Sequence, residues 1–287
     1  LMLANLAERV PQNRQGLAFG LTNSAQPLGA FVGPIIGGPI VDHWGFPTLL
    51  LVDSVLLLVV VLGLSFGYRD TFVGSKEGSL LGMSVSSLRL VGTSPRLRML
   101  FLAMTLILAA WVLPYTYVPL VVARLYHGSQ TGTVVGLVLG ASGLATLLLG
   151  PFIGSLADRW SVWRVLLTGS VLLVVLLPIP ALAPDPISFA FVWALVSGVA
   201  VGVYAISFNA LAMSVSSDVR GRVMALAYVP GNLAFIVGAA IGSVVANVTV
   251  FAVFPAGAAV CAIGLAGLVV AARQGTLSVS TRADNPT

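Results

Sequence analysis

The sequence predicts an all-α, multi-pass membrane protein. Hydrophobic residues fill 58% of its 287 positions and charged residues only 8%, and the mean hydropathy is +1.03. A soluble domain carries about 25% charged residues, so this chain has too few to cover a surface facing water. It also has more apolar side chains than one soluble core could hide. A spanning helix needs roughly 20 mainly apolar residues. About eight such stretches run along the chain, near 16–40, 47–68, 98–123, 131–156, 162–183, 187–213, 221–246 and 249–272. Uniform runs such as Val55 to Leu62 lack the alternation of a membrane β-strand.

Charge fixes the orientation. With the stretch near 16–40 starting inside, every Lys and Arg of the 14 falls on the inner side except Arg124, as the positive-inside rule requires. The net charge of +5 is thus a topology signal, and no nucleic-acid partner follows from it. Cys261 is the single cysteine and can form no intrachain disulfide. His43 and His127 fall in outer loops, apart from any ligand cluster. No phosphate loop, zinc-ligand spacing or nucleophile elbow stands in the sequence. The reading is therefore not an enzyme: it assigns no catalytic residue, no metal and no cofactor.

Along the chain, residues 1–7 read as the last turns of a helix, followed by a polar, basic loop. The stretch near 16–40 then carries Gly20, Gly29, Gly33, Gly37 and Gly38, with Pro34 after Gly33. Gly29, Gly33 and Gly37 recur every fourth residue and share one helical face, on which another helix can approach closely. Shifting the sequence by about 205 positions lays Gly16 on Gly221, Leu28 on Leu233, Gly33 on Gly238 and Gly37 on Gly242. The repeat unit holds six helices, and parallel six-helix halves are a known transporter plan. Residues 1–68 are then the remainder of an N-terminal half, namely the end of helix four with helices five and six. Residues 69–97 form a cytoplasmic linker, in which Leu81, Val85 and Leu88 share a face. Residues 98–272 form the C-terminal half, and 273–287 a disordered cytoplasmic tail.

Two motifs resemble those of the major facilitator superfamily, whose last eight helices of twelve this chain would supply as an N-terminally truncated member. Gly20-x8-Gly29-x3-Gly33-Pro34-x2-Gly37-Gly38 is similar to the family's antiporter motif in helix five. Gly154-Ser-Leu-Ala-Asp158-Arg159, with Arg164, resembles its loop motif between helices eight and nine. There Ser161 stands where that motif has its second glycine, and Val162 and Trp163 replace basic residues. The resemblance implies a proton-coupled, drug:proton antiporter-like exporter of small amphipathic compounds, working by alternating access in the cell membrane as a monomer. It also implies that Asp158 opposes the start of helix five near Gly16 and helps close the inner side. The repeat offers a control. The second-copy equivalents of Gly29, Pro34 and Gly38 are Ala234, Ala239 and Ser243, so those three residues of helix five are not required by the symmetry.

Polar residues inside lipid are costly and tend to face the bundle interior. At about 100° per residue, Asn23 and Gln26 share a face with Gly33 and Gly37. Trp111 aligns with Tyr115 in helix seven. Ser197, Tyr204 and Ser207 cluster in helix ten, and Tyr228, Asn232 and Phe235 cluster in helix eleven. Apart from Ser197, these are the expected substrate-binding residues, set among nearly pure apolar helices nine and twelve. Asp53 is the carboxylate clearly inside a helix and is a possible proton site. Two alternatives stay open: a metabolite or sugar permease of the same family, and a non-transporting membrane receptor or scaffold. Several intramembrane charges in helices seven to eleven would favour hydrophilic substrates, and the sequence has none there.

Overall fold

Proline and glycine set the limits of the helices. The structure is a computed structural model; it describes residues 15–67, 91–214, 223 and 226–283, with the side chains of 15–24, 96, 271 and 274–283 outside the described set. Residues 1–14 and the 81–88 segment of the linker also lie outside it.

Helix α1, Gln15–Trp44, carries Pro27, Pro34 and Pro39 within it. It stops at Gly45, whose φ of 82° suits the left-handed residue that commonly ends helices. The Gly45 amide donates back to the Val41 carbonyl at 3.0 Å, and α2, Phe46–Gly67, follows at once. Helix α3, Pro95–Tyr115, starts three residues ahead of the expected stretch, because Ser94 accepts from the Leu97 amide and Pro95 takes the first turn. Pro114 lacks an amide donor, and the expected 98–123 stretch breaks there. The short α4, Val118–Leu125, resumes after Tyr117.

Helix α5 is Thr131–Trp160 and α6 is Val162–Leu176, the latter followed by a 3-10 turn at Ile179–Leu182 between prolines. Helix α7, Pro186–Met213, is capped by the Asp185 carboxylate, which accepts from the Ile187 and Ser188 amides at 2.8 and 3.0 Å. Helix α8 is Val229–Ala246. Helix α9, Val253–Ala283, follows a 3-10 turn at Val250–Ala252. It runs past Arg273, where a disordered tail is expected. No proline stands between Pro255 and Pro286 to stop it.

Among the described residues, 7 spans are long and apolar enough to cross a membrane; α1, 30 residues long, packs beside them. On the expected numbering, α1 and α2 would be helices five and six, α3 with α4 seven, and α5 to α9 eight to twelve.

Helices α3 and α7 are the most buried spans. Helices α8 and α9 lie on α3, α6 bridges α7 and α9, and α5 joins α7 to α1. Close approach rests on small residues, as lipid-embedded helices require. A side chain at Gly257 would meet the Ala110 carbonyl at 2.6 Å, and one at Gly238 the Ala109 carbonyl at 3.0 Å. At the outer end of the bundle, Phe189, Trp193 and Phe254 interlock, with Trp193 to Phe254 ring centroids 5.9 Å apart. The buried Trp193 indole N–H has no hydrogen-bond partner among the described residues. By contrast, α2 packs on α1 and buries none of its residues.

Candidate functional site

The seam between α1 and α5 brings residues ahead of the expected linker against residues that follow it. The helices run antiparallel, and the glycines of α5 lie directly on the α1 backbone. A Cβ at Gly132 would fall 2.8 Å from the Gly38 carbonyl oxygen. At Gly136 it would run into the Pro34 carbonyl and lie 3.2 Å from Gly38 Cα. At Gly140 it would meet the Phe31 carbonyl at 3.0 Å, and at Gly143 the backbone of Ala30 and Phe31. From α1, a Cβ at Gly38 would lie 2.9 Å from the Gly132 carbonyl carbon and 3.0 Å from Thr133 Cα.

The contact face of α1 is therefore 30/34/38/42, one residue round from the 29/33/37 face that the sequence points to. Gly29 and Gly33 have no described atom within 4 Å of a built Cβ, and Gly37 faces the Leu49 side chain of α2 at 3.3 Å. Of the three motif residues that the repeat does not require, Pro34 and Gly38 are in the seam and Gly29 is not.

The outer end of the seam is closed by a carboxylate. Asp42 accepts from the Gly132 amide at 2.8 Å, from the Thr133 amide at 2.6 Å and from the Thr133 hydroxyl at 2.6 Å. Those amides belong to the unsatisfied first turn of α5, whose own N-cap residue, Gln130, makes no side-chain cap. The Thr133 hydroxyl chiefly holds the Asp42 carboxyl below its usual pKa; desolvation opposes it, and the Thr133 and Gly132 amides lower it further. Inward of Gly143 no further close approach occurs among the described residues. A Cβ at Gly150 or Gly154 meets no described atom within 4 Å, and Gln26, Leu28, Leu148 and Phe152 are exposed.

The aromatic and polar candidates gather on one stripe of α7. The Trp111 indole donates to the buried Ser197 hydroxyl at 3.2 Å, and its ring lies 4.7 Å from that of Tyr115. Seven residues further along α7, Tyr204 packs edge-on against Phe208 at 5.0 Å, and Phe208 meets Tyr228 at 5.4 Å. The Tyr204 hydroxyl lies against Gly231 of α8. Tyr115, Tyr228, Asn232 and Phe235 are exposed. Ser207 is buried and donates to the Tyr204 carbonyl within its own helix. The Asn23 side chain lies outside the described set. Asp53 is exposed on α2, away from both groups.

The sequence as a whole matches the Major Facilitator Superfamily twice, over residues 1–132 and 100–285. The chain belongs to the Major Facilitator Superfamily. It is a multi-pass membrane protein, which in a bacterium places it in the cytoplasmic membrane. It is 24% identical over 252 residues to a protein of Lactococcus lactis named multi-drug resistance efflux pump PmrA homolog, covering 85% of this chain and 60% of that protein. It is 29% identical over 178 residues to the multidrug resistance protein MdtG of Salmonella arizonae, covering 61% of this chain and 43% of that protein. The MdtG of Klebsiella pneumoniae is 26% identical over the same length. The chain thus spans 60% or less of the length of these relatives.

In this superfamily member the loop motif sits at the inner end of α5. Asp158, Arg159 and Arg164 are exposed there, and no hydrogen bond or ion pair of the Asp158 side chain occurs among the described residues. Ser161, in the place of the superfamily's glycine, adopts φ 151° and ψ 148° and caps α6 by accepting from the Arg164 amide at 3.3 Å. That backbone region is essentially reserved for glycine.

Two features escape the motif-based reading. The α5 series Gly132, Gly136, Gly140 and Gly143 is visible in the sequence as small residues at helical spacing, but no motif flags it. Asp42, four residues beyond Gly38, carries no signal until the start of α5 is brought beside it.

Proposed function

We propose that the protein is a secondary active transporter, exporting small amphipathic compounds in exchange for protons by alternating access. The observation that carries this reading is the α1–α5 seam. Pro34 and Gly38, which the internal repeat does not require, are the motif residues that lie against Gly132 and Gly136 of the opposite half. A tight backbone contact between halves at the outer side is what an outer gate needs. Rocking of one half against the other can break it without disturbing the packing within either. The names of the relatives, multidrug efflux pump and multidrug resistance protein, support an export role.

The substrate surface fits the same reading. Trp111, Tyr115, Tyr204, Tyr228 and Phe235 offer aromatic faces, and Gln26 and Asn232 offer uncharged hydrogen-bonding groups. Such a lining suits ligands with a large apolar body and few polar points. Ser207 donates within its own helix, to the Tyr204 carbonyl, and holds the Tyr204 turn of α7. Under the repeat, Gly238 of α8 lies on α3, the first helix of its half, and Gly33 would take the matching place against the first helix of the other half.

The test is dye flux in sealed proteoliposomes. An imposed pH gradient should drive uphill movement of a fluorescent amphipathic dye, and a protonophore should stop it. Absence of gradient-driven flux, with the protein inserted and folded, would overturn the proton-coupled reading. A Tyr204→Ala variant should raise the dye concentration giving half-maximal flux about tenfold, equivalent to about 1.4 kcal/mol.

A further inference from the structure

We propose that Asp42 is a latch between the two halves, a positioning residue that holds the outer gate shut by capping a helix of the opposite half. The motive is an unusual division of labour. Helix α5 needs an acceptor for its first-turn amides. A helix normally draws it from its own N-cap residue, and Gln130 in that place makes no such bond. The acceptor comes instead from α1, ninety residues away in sequence, through three hydrogen bonds of 2.6 to 2.8 Å. Hydrogen bonds to a carboxylate are among the stronger ones, and a negative charge at a helix N-terminus also meets the favourable end of its dipole.

Every one of these bonds breaks when α1 and α5 part at the outer side. Gly38, one turn before Asp42, keeps the backbones close enough for the carboxylate to reach. Gly132 leaves it room, since a Cβ there would lie 2.7 Å from Asp42 Oδ1. The lowered pKa of Asp42 keeps the latch charged at neutral pH. The latch therefore acts mechanically.

This inference rests on the transport reading only in naming the contact a gate; the contact itself can be measured without transport. Spin labels on Trp44→Cys and Ser129→Cys, in a Cys261→Ala background of the chain in lipid nanodiscs, report the outer separation of α1 and α5. Asp42→Ala should lower the ratio of short to long separations by about tenfold or more. Thr133→Val, which removes only the hydroxyl, should give a smaller shift in the same direction. The deciding variant is Asp42→Ala combined with Gln130→Asp, which returns a cap to α5 from its own N-cap position. Thermal stability should recover while the separation stays long. Recovery of the short separation would mean that Asp42 serves only as a cap for α5, and would overturn the latch. An unchanged separation in both Asp42→Ala and Thr133→Val would overturn it as well. Should dye flux fail while these separations shift as expected, the latch stands and the transport reading falls.

Discussion

Adding one methyl group at Gly38 should open the outer gate. The Cβ of Gly38→Ala would lie 2.9 Å from the Gly132 carbonyl carbon and 3.0 Å from Thr133 Cα. Comfortable carbon separations are about 3.5–4.0 Å. Both obstacles are main chain, so neither can rotate away, and the helices must part by roughly 0.5–1 Å at this level. Overpacking of this kind costs about 1–3 kcal/mol, and only the closed form bears it. The ratio of closed to open molecules should fall by roughly five- to 150-fold. In this chain Gly33→Ala is the matched control for the label separation, because no described atom lies within 4 Å of its Cβ; it should change the equilibrium by about 0.5 kcal/mol or less. The label pair at Trp44→Cys and Ser129→Cys reads the separation, and dye efflux reads the consequence. If Gly33→Ala parts the helices as far as Gly38→Ala does, or if Gly38→Ala leaves them together, the assignment of the seam to the 30/34/38/42 face is wrong.

Three further outcomes are expected. Ser161→Gly should stabilise the protein by about 1 kcal/mol, because relief of a glycine-type backbone conformation exceeds the few tenths lost with the cap; a lower melting temperature would contradict the strain reading. Trp193→Phe should change stability by about 1 kcal/mol or less, since the indole N–H has no described partner to lose, whereas Trp193→Ala should cost about 3–5 kcal/mol, both measured by thermal unfolding in detergent. Closure of the outer seam should hold level from about pH 8 to 5 and weaken only below roughly pH 4. A carboxylate with a depressed pKa contributes above its usual range and loses that contribution as pH falls through the lowered value. The titratable groups on the packed elements are His43 beside it, Asp53 on α2 and Asp158 at the far end of α5. Opening above about pH 5 would contradict the assignment of the closing contact to Asp42.

Composition and the apolar stretches carried the fold class, because a chain with so few charges can be stable only in lipid. The helix limits followed where local chemistry sets them, as at Ser94–Pro95 and Gly45. They slipped where apolarity and backbone bonding disagree. The stretch 98–123 is apolar throughout but breaks after Pro114, and α9 outlasts its apolar residues.

The site was legible in part. The antiporter-like motif drew attention to α1, and comparison with the second repeat singled out Gly29, Pro34 and Gly38, of which Pro34 and Gly38 lie against α5. Spacing alone could not tell which face meets the other half, since faces 29/33/37 and 30/34/38 are both rich in small residues. The choice depends on the partner, and the glycines of α5 fall opposite the second face. Asp42 is a surface carboxylate in sequence terms, and gains meaning only from amides ninety residues away.

The three prolines of α1 give the gate a place to bend. Pro34 and Pro39 leave the carbonyls of Ala30 and Ile35 without their usual amide donors, so two main-chain bonds are missing within five residues where the outer third of α1 begins. That segment carries both Gly38 and Asp42. Opening can therefore begin as a peel, with the end of α1 flexing about Pro34 while its inner two-thirds stay in place. A compliant tip divides one large barrier into smaller successive ones. In hydrogen–deuterium exchange the amides from Gly37 to Trp44 should exchange ahead of those between Leu28 and Gly33, recording the tip's motion before either half has rocked.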